Sequence, residues 1–292
     1  MFKFKADQKV FEIGGVKIGR GRGDNPPVLI GSIFYHKHRL VSDEKKGEFD
    51  RDAAEKLLKC HEEIVDKTKI PGLIDVVIPS PEAVAKYIDF VSKLIDKPFL
   101  IDVPTLEVMS TALSYVRDVG LSSRVVFNSL TPRSKDEELS ILLESGVKSA
   151  VLLLYTSRII DVDARIEALR ELLFKAEKAG VTAPLVDTFV MDVPSLSIAL
   201  RAILSVKSMF GLPCGCGAHN AVSLMKKRLR EVYGVEGVEA AALASNIAPI
   251  VLSADFVLYG PIEAYKAIFP ATYIITTSYR YLARRGESLI EL

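Results

Sequence analysis

The chain has 292 residues, of which 49% are hydrophobic and 26% are charged. This balance supports a large buried core and excludes an intrinsically disordered protein. The 38 basic and 37 acidic residues give a net charge of +1, so the charge balance does not favour nucleic acid as a partner. The first residues lack the apolar stretch of a signal peptide, and no apolar run is long enough to span a bilayer. We therefore expect a cytoplasmic protein, with peripheral docking on a membrane complex left open.

The predicted elements follow the order of a parallel α/β fold. Two short alternating runs around Gly14-Gly15 predict a β-hairpin within residues 1–24. After it, short apolar runs alternate with amphipathic stretches, as buried parallel strands alternate with crossover helices. The predicted strands are residues 28–34, 73–79, 99–103, 125–130, 150–155, 184–189, 212–217 and 256–260. The predicted helices are residues 53–66, 81–95, 106–119, 135–144, 162–179, 195–210 and 221–232, with a further segment at 237–247.

This order favours a closed (β/α)₈ TIM barrel as a single domain. No linker interrupts the series, so residues 25–292 are predicted to form the barrel, with the hairpin of residues 1–24 as an integral part. An open doubly wound sheet is the alternative fold. It is disfavoured because the pattern Gly19-x-Gly21-x-Gly23 precedes the first strong strand, whereas a dinucleotide-binding loop follows it. An ordinary loop is the favoured interpretation of these glycines, ahead of a phosphate-binding loop.

Polar residues mark the carboxyl ends of four predicted strands, where barrel enzymes place their functional groups. Asp102 ends the third strand, Asn128 the fourth and Asp187 the sixth, and Asn220 follows a glycine-rich turn after the seventh. Any one of these side chains can instead cap the helix that follows it. Their joint appearance around one mouth favours a shared binding site.

The types of these residues limit the chemistry of such a site. The sequence contains no nucleophile elbow, no convincing Ser/His/acid set and no strand-end Lys, so covalent catalysis is not predicted. A carboxylate accepts hydrogen bonds from adjacent N–H donors, and Asn both donates and accepts. This combination matches the guanidine-like edge of a flat heterocycle, and a pterin has that edge.

Two short motifs raise the question of a metal site. His36-Lys37-His38 is expected to place two imidazoles on one side of an extended segment, and Cys214-Gly215-Cys216 to do the same with two thiols. Neither motif has the third or fourth ligand that zinc needs, so no tightly bound metal is predicted. Together with Cys60, the cysteines are also too few for a disulfide framework.

The chain resembles the H subunits of tetrahydromethanopterin S-methyltransferase and their stand-alone relatives. The resemblance is most specific in GSIFYHKHRLVSDEKKGEFDR, residues 31–51, and recurs in PFLID, VVFNS, GLPCGCGAHNAVS and ADFVLYGPIE. More distantly, the chain is similar to methyltetrahydrofolate–corrinoid methyltransferases. It is also similar to the pterin-binding barrels of methionine synthase and dihydropteroate synthase.

The resemblance implies that Asp102, Asn128, Asp187 and Asn220 hold a pterin ring. Asn220 and Asp187 are the implied catalytic residues, the first near N5 of the pterin and the second through the surrounding polar network. The implied reaction moves the N5-methyl group between a tetrahydropterin and the Co(I) of a cobalamin-type corrinoid on a partner protein. Tetrahydromethanopterin is favoured over tetrahydrofolate. Relatives often carry Ser after the third-strand Asp, whereas this chain has IDVPT, which leaves the surroundings of Asp102 open.

The resemblance also implies an archaeal, dimeric protein of methanogenesis that can work in a membrane-bound methyltransferase complex. Residues 36–50, after the first strand, are either a solvated loop or a contact or lid for the corrinoid protein. Two other functions stay open. One is a dihydropteroate-synthase-like enzyme, disfavoured because no Lys or Arg ends a strand to bind pyrophosphate. The other is a docking component that only binds pterin.

Overall fold

A closed barrel of eight parallel strands forms the centre of the computed structural model, which describes residues 2–20 and 25–292. Each strand pairs with the next in chain order, and the last pairs with the first. The strands are β1 (Val28–Ile33), β2 (Gly72–Val77), β3 (Phe99–Asp102), β4 (Val125–Leu130), β5 (Ser149–Leu153), β6 (Ala183–Asp187), β7 (Cys214–Cys216) and β8 (Phe256–Pro261). The predicted (β/α)₈ barrel is confirmed. Gly21 and Gly23 of the glycine pattern lie outside the described residues.

Helices cover the outside of the barrel. They are α1 (Arg51–Thr68), α2 (Val84–Leu94), α3 (Leu106–Asp118), α4 (Asp136–Ser145), α5 (Val162–Lys178), α6 (Val193–Phe210), α7 (Asn220–Ser223), α8 (Lys226–Val251) and α9 (Tyr265–Arg284). Two differences from the sequence analysis stand out. The segments predicted at 221–232 and 237–247 belong largely to α8, whose backbone breaks at Gly234 with φ 72° and ψ −169°. Helix α9 is not predicted from the sequence; it continues through Pro270, a residue that usually ends or kinks a helix.

The predicted N-terminal hairpin is present and closes the amino end of the barrel. Strands Phe11–Ile13 and Val16–Ile18 pair antiparallel across Gly14 and Gly15. Both glycines have positive φ, 50° and 81°, as a two-residue hairpin turn requires. Ile13 and Ile18 are buried and pack into the barrel interior.

The barrel interior is apolar at its amino end and polar at its carboxyl end. Side chains alternate along each strand, so every second residue faces the barrel axis. The inward apolar residues are Val28, Ile30, Leu73, Leu100, Val126, Val151, Ala183, Leu185, Phe256 and Leu258. The same alternation, continued to the carboxyl end, reaches Ser32, Asp75, Asp102, Asn128 and Asp187. The strand period therefore gathers these polar side chains in the barrel mouth.

Within residues 2–20 and 25–292, α6 is the one helix that is long and apolar enough to cross a membrane by length and composition. The sequence predicts no apolar run long enough to span a bilayer, which differs from this result. Ala199, Ala202, Ile203 and Val206 of this helix are buried on its inner face. Its place between β6 and β7 accounts for its apolar composition as a barrel helix.

A buried ion pair joins α6 to the segment before β8. Lys207 Nζ donates to Asp255 Oδ2 at 2.6 Å, and the two side chains are 2% and 0% exposed. The same carboxylate accepts from Cys214 N at 2.9 Å and, through Oδ1, from Arg20 N at 2.7 Å. Asp255 therefore links α6, β7, β8 and the chain just before β1.

We predict that Lys207→Met lowers the free energy of unfolding by about 3–5 kcal/mol, because it leaves a buried carboxylate without its cation. The measurement is guanidinium denaturation. The matched control is Lys93→Met, which removes the exposed Lys93–Asp89 pair (2.7 Å) and should cost about 1 kcal/mol or less. Equal losses in the two variants would contradict the structural role of the buried pair.

Candidate functional site

Asp75 is the centre of a hydrogen-bonded cluster in the barrel mouth. It lies within β2 and is 2% exposed. Its Oδ2 accepts from Ser32 Oγ on β1 at 2.8 Å, and its Oδ1 accepts from Asn128 Nδ2 on β4 at 3.2 Å. Because β3 lies between β2 and β4, the bond from Asn128 reaches Asp75 through the barrel interior. The side chains of three strands thus meet in one place.

Asp102 completes this side of the mouth. It ends β3 and is in register with Val77 on β2 and with Asn128 on β4. Burial and the neighbouring Asp75 charge raise the pKa of Asp102 to about 8. Burial also raises the pKa of Asp75, while the hydrogen bonds from Ser32 and Asn128 oppose that rise. At neutral pH Asp102 therefore carries a proton, so this side of the mouth presents an O–H donor beside acceptor oxygens.

Asp187 and Asn220 form the opposite side of the mouth and meet at Gly217. Asp187 ends β6, is 6% exposed, and accepts from Phe189 N at 2.7 Å. Burial raises its pKa to about 6, against the backbone N–H groups of Phe189 and Gly217 and the Arg165 charge. Asn220 begins α7, donates its backbone N–H to the Gly217 carbonyl at 3.2 Å, and carries its side-chain amide beside Gly217.

All four predicted site residues lie at the carboxyl end of the barrel, in two groups separated by β5. Asp102 and Asn128 form the first group with Asp75, and Asp187 and Asn220 form the second. The helix-cap alternative is wrong for the three strand residues, because the residues at the N-caps of α3, α4 and α6 are Thr105, Lys135 and Asp192. Asn128 is also not the last residue of its strand, since β4 continues to Leu130.

Asp75 and Ser32 are not among the residues predicted from the sequence. The predicted site residues mark strand ends, whereas Asp75 and Ser32 lie inside strands at inward positions. A signal was present, because Asp75 is the only charged residue in the strand GLIDVV. A charge inside an apolar strand is a buried polar group that needs partners, and such groups often mark a site.

The stretch after β1 is held in the rim of the mouth. His38 is buried, accepts from Phe34 N through Nδ1 at 3.0 Å and donates through Nε2 to Glu263 Oε1 at 3.1 Å. The Tyr35 ring stacks on the His38 ring with 4.3 Å between centroids. His36 instead points to solvent. The expectation of two imidazoles on one side is therefore wrong, because one histidine is committed to the rim and the other is exposed.

In the described part of the chain, no three His, Cys, Asp or Glu side chains are grouped as a metal site would require. Cys214 and Cys216 are buried free thiols, and Cys60 is a partly buried one. Burial raises the pKa of both β7 thiols well above their usual range. The thiols at β7 are therefore held in the neutral form.

We predict that the stability of the ligand-free protein falls as the pH rises through about 8. The pKa of Asp102 is raised from 3.8 to about 8, so the folded state keeps a proton that the unfolded chain has already lost. The stability gained from that proton is complete below the unfolded pKa and disappears above the folded pKa. Asp102→Asn should therefore show a smaller loss of unfolding free energy than the wild type between about pH 6 and about pH 9.

Urea denaturation across this pH range makes the measurement. Asp66→Asn, which alters an exposed carboxylate on α1, is the control and should keep the wild-type pH slope. An unchanged slope in Asp102→Asn would show that Asp102 does not carry a proton near neutral pH.

Comparison with known proteins assigns the chain to a family. The family model for the tetrahydromethanopterin S-methyltransferase MtrH subunit matches residues 6–292. The H subunit of the Methanocaldococcus jannaschii tetrahydromethanopterin S-methyltransferase is 35% identical over 294 residues, covering 94% of this chain and 92% of the relative. The H subunit of the putative methyltransferase mtx of Methanosarcina barkeri is 36% identical over 285 residues, covering 92% and 90%.

Solved structures with the same fold include dihydropteroate synthases. The Yersinia pestis enzyme with a pterine-sulfa conjugate has a TM-score of 0.64 at 13% identity, covering 93% of this chain and 100% of that one. The Xanthomonas albilineans enzyme with 7,8-dihydropteroate has a TM-score of 0.60 at 19% identity, covering 94% and 98%. At these identities the likeness supports the barrel fold alone. The family match and the relatives at about 35% identity show more: the chain belongs to the MtrH family of tetrahydromethanopterin S-methyltransferase subunits.

Proposed function

We propose that the chain moves the N5-methyl group between a tetrahydropterin and the Co(I) of a corrinoid on a partner protein. Tetrahydromethanopterin is the favoured pterin, because it stands in the names of the family and of relatives such as the Methanocaldococcus jannaschii protein. The observation that carries the proposal is the polar mouth above an apolar barrel floor, with hydrogen-bonding groups on two facing sides. The dihydropteroate synthases of the same fold, solved with pterin compounds, support this location.

On the β2–β4 side, the carboxyl pair and Asn128 are suited to the pyrimidine edge of a pterin. That edge presents adjacent N–H donors and a carbonyl acceptor. Asn128 Nδ2 donates to Asp75. The side-chain oxygen Oδ1 of Asn128 has no hydrogen-bond partner among the described residues and is available to accept. The protonated carboxyl group of Asp102 supplies a donor to the same edge. We assign binding and orientation of the ring to this side.

On the β6–β7 side, Asp187 and Asn220 are suited to act at N5. Transfer breaks the C–N bond, gives the methyl group to Co(I), which provides the electron pair, and leaves an amine on the pterin. The amine leaves more readily when N5 carries a proton. The Asn220 carbonyl can accept a hydrogen bond from that N5–H⁺ group. Asp187, with a pKa of about 6, is mostly ionised at neutral pH and stabilises positive charge nearby.

We predict that Asn220→Ala slows methyl transfer more than it weakens pterin binding. A hydrogen bond to a charged group contributes about 1.5–3 kcal/mol, so the rate should fall by about ten- to a hundredfold. The measurement mixes the purified protein with each methylated tetrahydropterin and free Co(I) cobalamin, and follows methylcobalamin by absorbance. Pterin affinity is measured separately by calorimetry.

Ser223→Ala, a change of an exposed residue on the same short helix, is the control and should retain wild-type activity. A rate loss fully explained by weaker pterin binding would remove the proposed role of Asn220. A wild-type protein inactive with both methylated pterins would remove the proposed reaction.

We place the docking surface for the partner protein on this chain, beside Asn220. The surface comprises residues 224–235 and is here called the α8 arm. Its exposed apolar residues are Leu224, Val232, Tyr233 and Val235, at 74%, 60%, 67% and 50% exposure. Lys226, Lys227, Arg228 and Arg230 lie among them, and none has an ion-pair partner in the described residues.

The α8 arm also lacks the features that usually stabilise the first turn of a helix. Met225 at the N-cap makes no side-chain cap, and no acidic residue lies in the first turn. Basic residues there repel the positive end of the helix dipole. The Lys226 charge also reaches the mouth, where burial and this lysine both lower the pKa of His219. An acidic surface on the corrinoid protein would relieve this repulsion and cover the exposed apolar residues.

We predict that reversing the charge of the α8 arm slows methyl transfer to the corrinoid protein but leaves transfer to free cobalamin nearly unchanged. The variant replaces Lys226, Lys227, Arg228 and Arg230 with Glu. The corrinoid protein is purified by following its visible absorbance. The kcat/KM for transfer to this protein should fall at least about tenfold, and the kcat/KM for transfer to free cobalamin should change by less than about twofold. The control reverses Lys56, Lys59, Lys67 and Lys69 around α1. Equal effects of the two variants would place the docking surface elsewhere.

A homodimer and a place in a multisubunit complex belong to the same proposal. The relatives are named as H subunits, which supports assembly with further subunits, as a peripheral member of a membrane-bound complex. The outer face of α9 supports a second copy as a neighbour. Tyr273, Ile274 and Tyr281 are 43%, 66% and 63% exposed on this face. Exposed aromatic residues are typical of the core of a protein interface.

A further inference from the structure

A buried cation lies behind the β6 side of the mouth and has no role in the mechanism above. Arg165, in the first turn of α5, is 0% exposed. Its Nη1 donates to the Thr188 carbonyl at 2.5 Å and its Nη2 to the Ile159 carbonyl at 2.7 Å. The guanidinium carbon lies 6.0 Å from the centre of the Phe189 ring. Arg165 Nε is buried without a hydrogen-bond acceptor among the described residues.

This environment does not explain why the buried residue is charged. Within the described chain, no carboxylate lies at ion-pair distance from Arg165, and its two bonded partners are neutral carbonyl groups. Burying an unpaired cation is costly, and a neutral donor would satisfy the same carbonyls at lower cost. Proteins keep such costly groups mainly where function needs them. The residue that precedes Thr188 in the sequence is Asp187, a carboxylate of the mouth.

Arg165 holds a turn whose shape sets the Asp187 carboxylate. Phe189 has φ 63°, in the left-handed region that non-glycine residues rarely adopt. This conformation directs Phe189 N to Asp187 Oδ1, 2.7 Å away. Thr188 is fixed on both faces, because its N–H and Oγ1 donate to the Gly215 carbonyl at 2.9 Å and 3.2 Å while its own carbonyl accepts from Arg165.

We infer that Arg165 is a positioning residue for Asp187. It fixes the turn of residues 187–189 through the Thr188 carbonyl and places a positive charge behind the Asp187 side of the mouth. The inference rests on the proposed function only for its activity measurement.

The surroundings of Asp187 give the sign of the effect. The groups that face its carboxylate are Arg165 from α5, the thiols of Cys214 and Cys216 from β7, and the backbone N–H groups of Phe189 and Gly217. Arg165 is the only cation in that set. Without it, burial is opposed by hydrogen bonds alone, so the pKa of Asp187, now about 6, should rise.

The first test titrates Asp187 in the ligand-free protein. Carbon-13 NMR of aspartate-labelled protein follows the carboxyl group, and Asp187→Asn identifies its signal. Arg165→Gln should raise the pKa of Asp187 by about one pH unit or more, and Arg165→Lys, which keeps the charge, by less. The control is Arg124→Gln, which removes a partly buried guanidinium that also donates to backbone carbonyls, those of Ser92, Ile95 and Lys97. It should leave the Asp187 titration unchanged.

The second test is the pH dependence of methyl transfer to free cobalamin. Arg165→Gln should move the acid limb of kcat/KM for pterin to higher pH by the same amount as the NMR shift, because both report the free protein, and should move the acid limb of kcat in the same direction. Arg165→Lys should restore most of the wild-type profile.

The outcomes separate a positioning role from a structural one. A folded Arg165→Gln variant with an unchanged Asp187 titration overturns the inference, even if its thermal stability is lower. If Arg165→Gln does not fold, a folded Arg165→Lys variant in which the pKa of Asp187 rises by about one pH unit or more overturns it equally, because the retained charge should limit the rise. A raised pKa in a protein whose wild type transfers no methyl group would support Arg165 as the partner of Asp187 while removing the proposed reaction.

Discussion

The two hydrogen bonds that Asp75 accepts, from Ser32 and from Asn128, hold the polar end of the barrel together. They join side chains of β1, β2 and β4 across the interior, at the level where the apolar filling of the barrel stops. A buried carboxylate without such partners would be costly, and the two bonds compensate its lost hydration only in part. The remaining cost appears as a raised pKa of Asp75 and of its neighbour Asp102, which carries a proton at neutral pH. The apolar floor and the N-terminal hairpin below supply the burial that allows this polar layer to exist.

Two carboxyl groups on opposite sides of one mouth acquire different protonation behaviour from their surroundings. Asp102 faces another acid and has a pKa of about 8, whereas Asp187 faces a cation and backbone N–H groups and has a pKa of about 6. Near neutral pH the first side therefore carries a proton and the second side a charge. Such a separation assigns a donor role and an anionic role without any difference in residue type. A donor is suited to binding the edge of a neutral ring, and an anion is suited to stabilising a developing cation, so the two sides are suited to different tasks.

The sequence predicts the barrel well because its strands are buried on both faces and its helices are amphipathic, so the two periods are clear. It also predicts the strand-end residues Asp102 and Asp187, because the position of a polar residue after an apolar run survives small errors in strand boundaries. It does not predict Asp75, whose importance depends on a partner 53 residues away, Asn128, found only when the barrel closes. The role of Arg165 is not predicted for the same reason, since nothing in the sequence distinguishes this helical arginine from the others as a buried residue.

The β7 strand shows why polar anchors concentrate on this side of the barrel. It has three residues and pairs with β6 and β8 through two residue pairs on each side, so its ladder alone fixes it weakly. Below it, the Asp255 carboxylate accepts from Cys214 N, and above it Thr188 donates twice to the Gly215 carbonyl. Gly215 itself allows close approach of β8, since a Cβ there would lie 2.0 Å from the Phe256 carbonyl oxygen. Asn220 follows this strand by four residues, so its placement depends on side-chain anchors at both ends of a short strand. A buried ion pair beneath the strand and a buried arginine beside the turn above it are therefore two parts of one arrangement that fixes the β6–β7 side of the mouth.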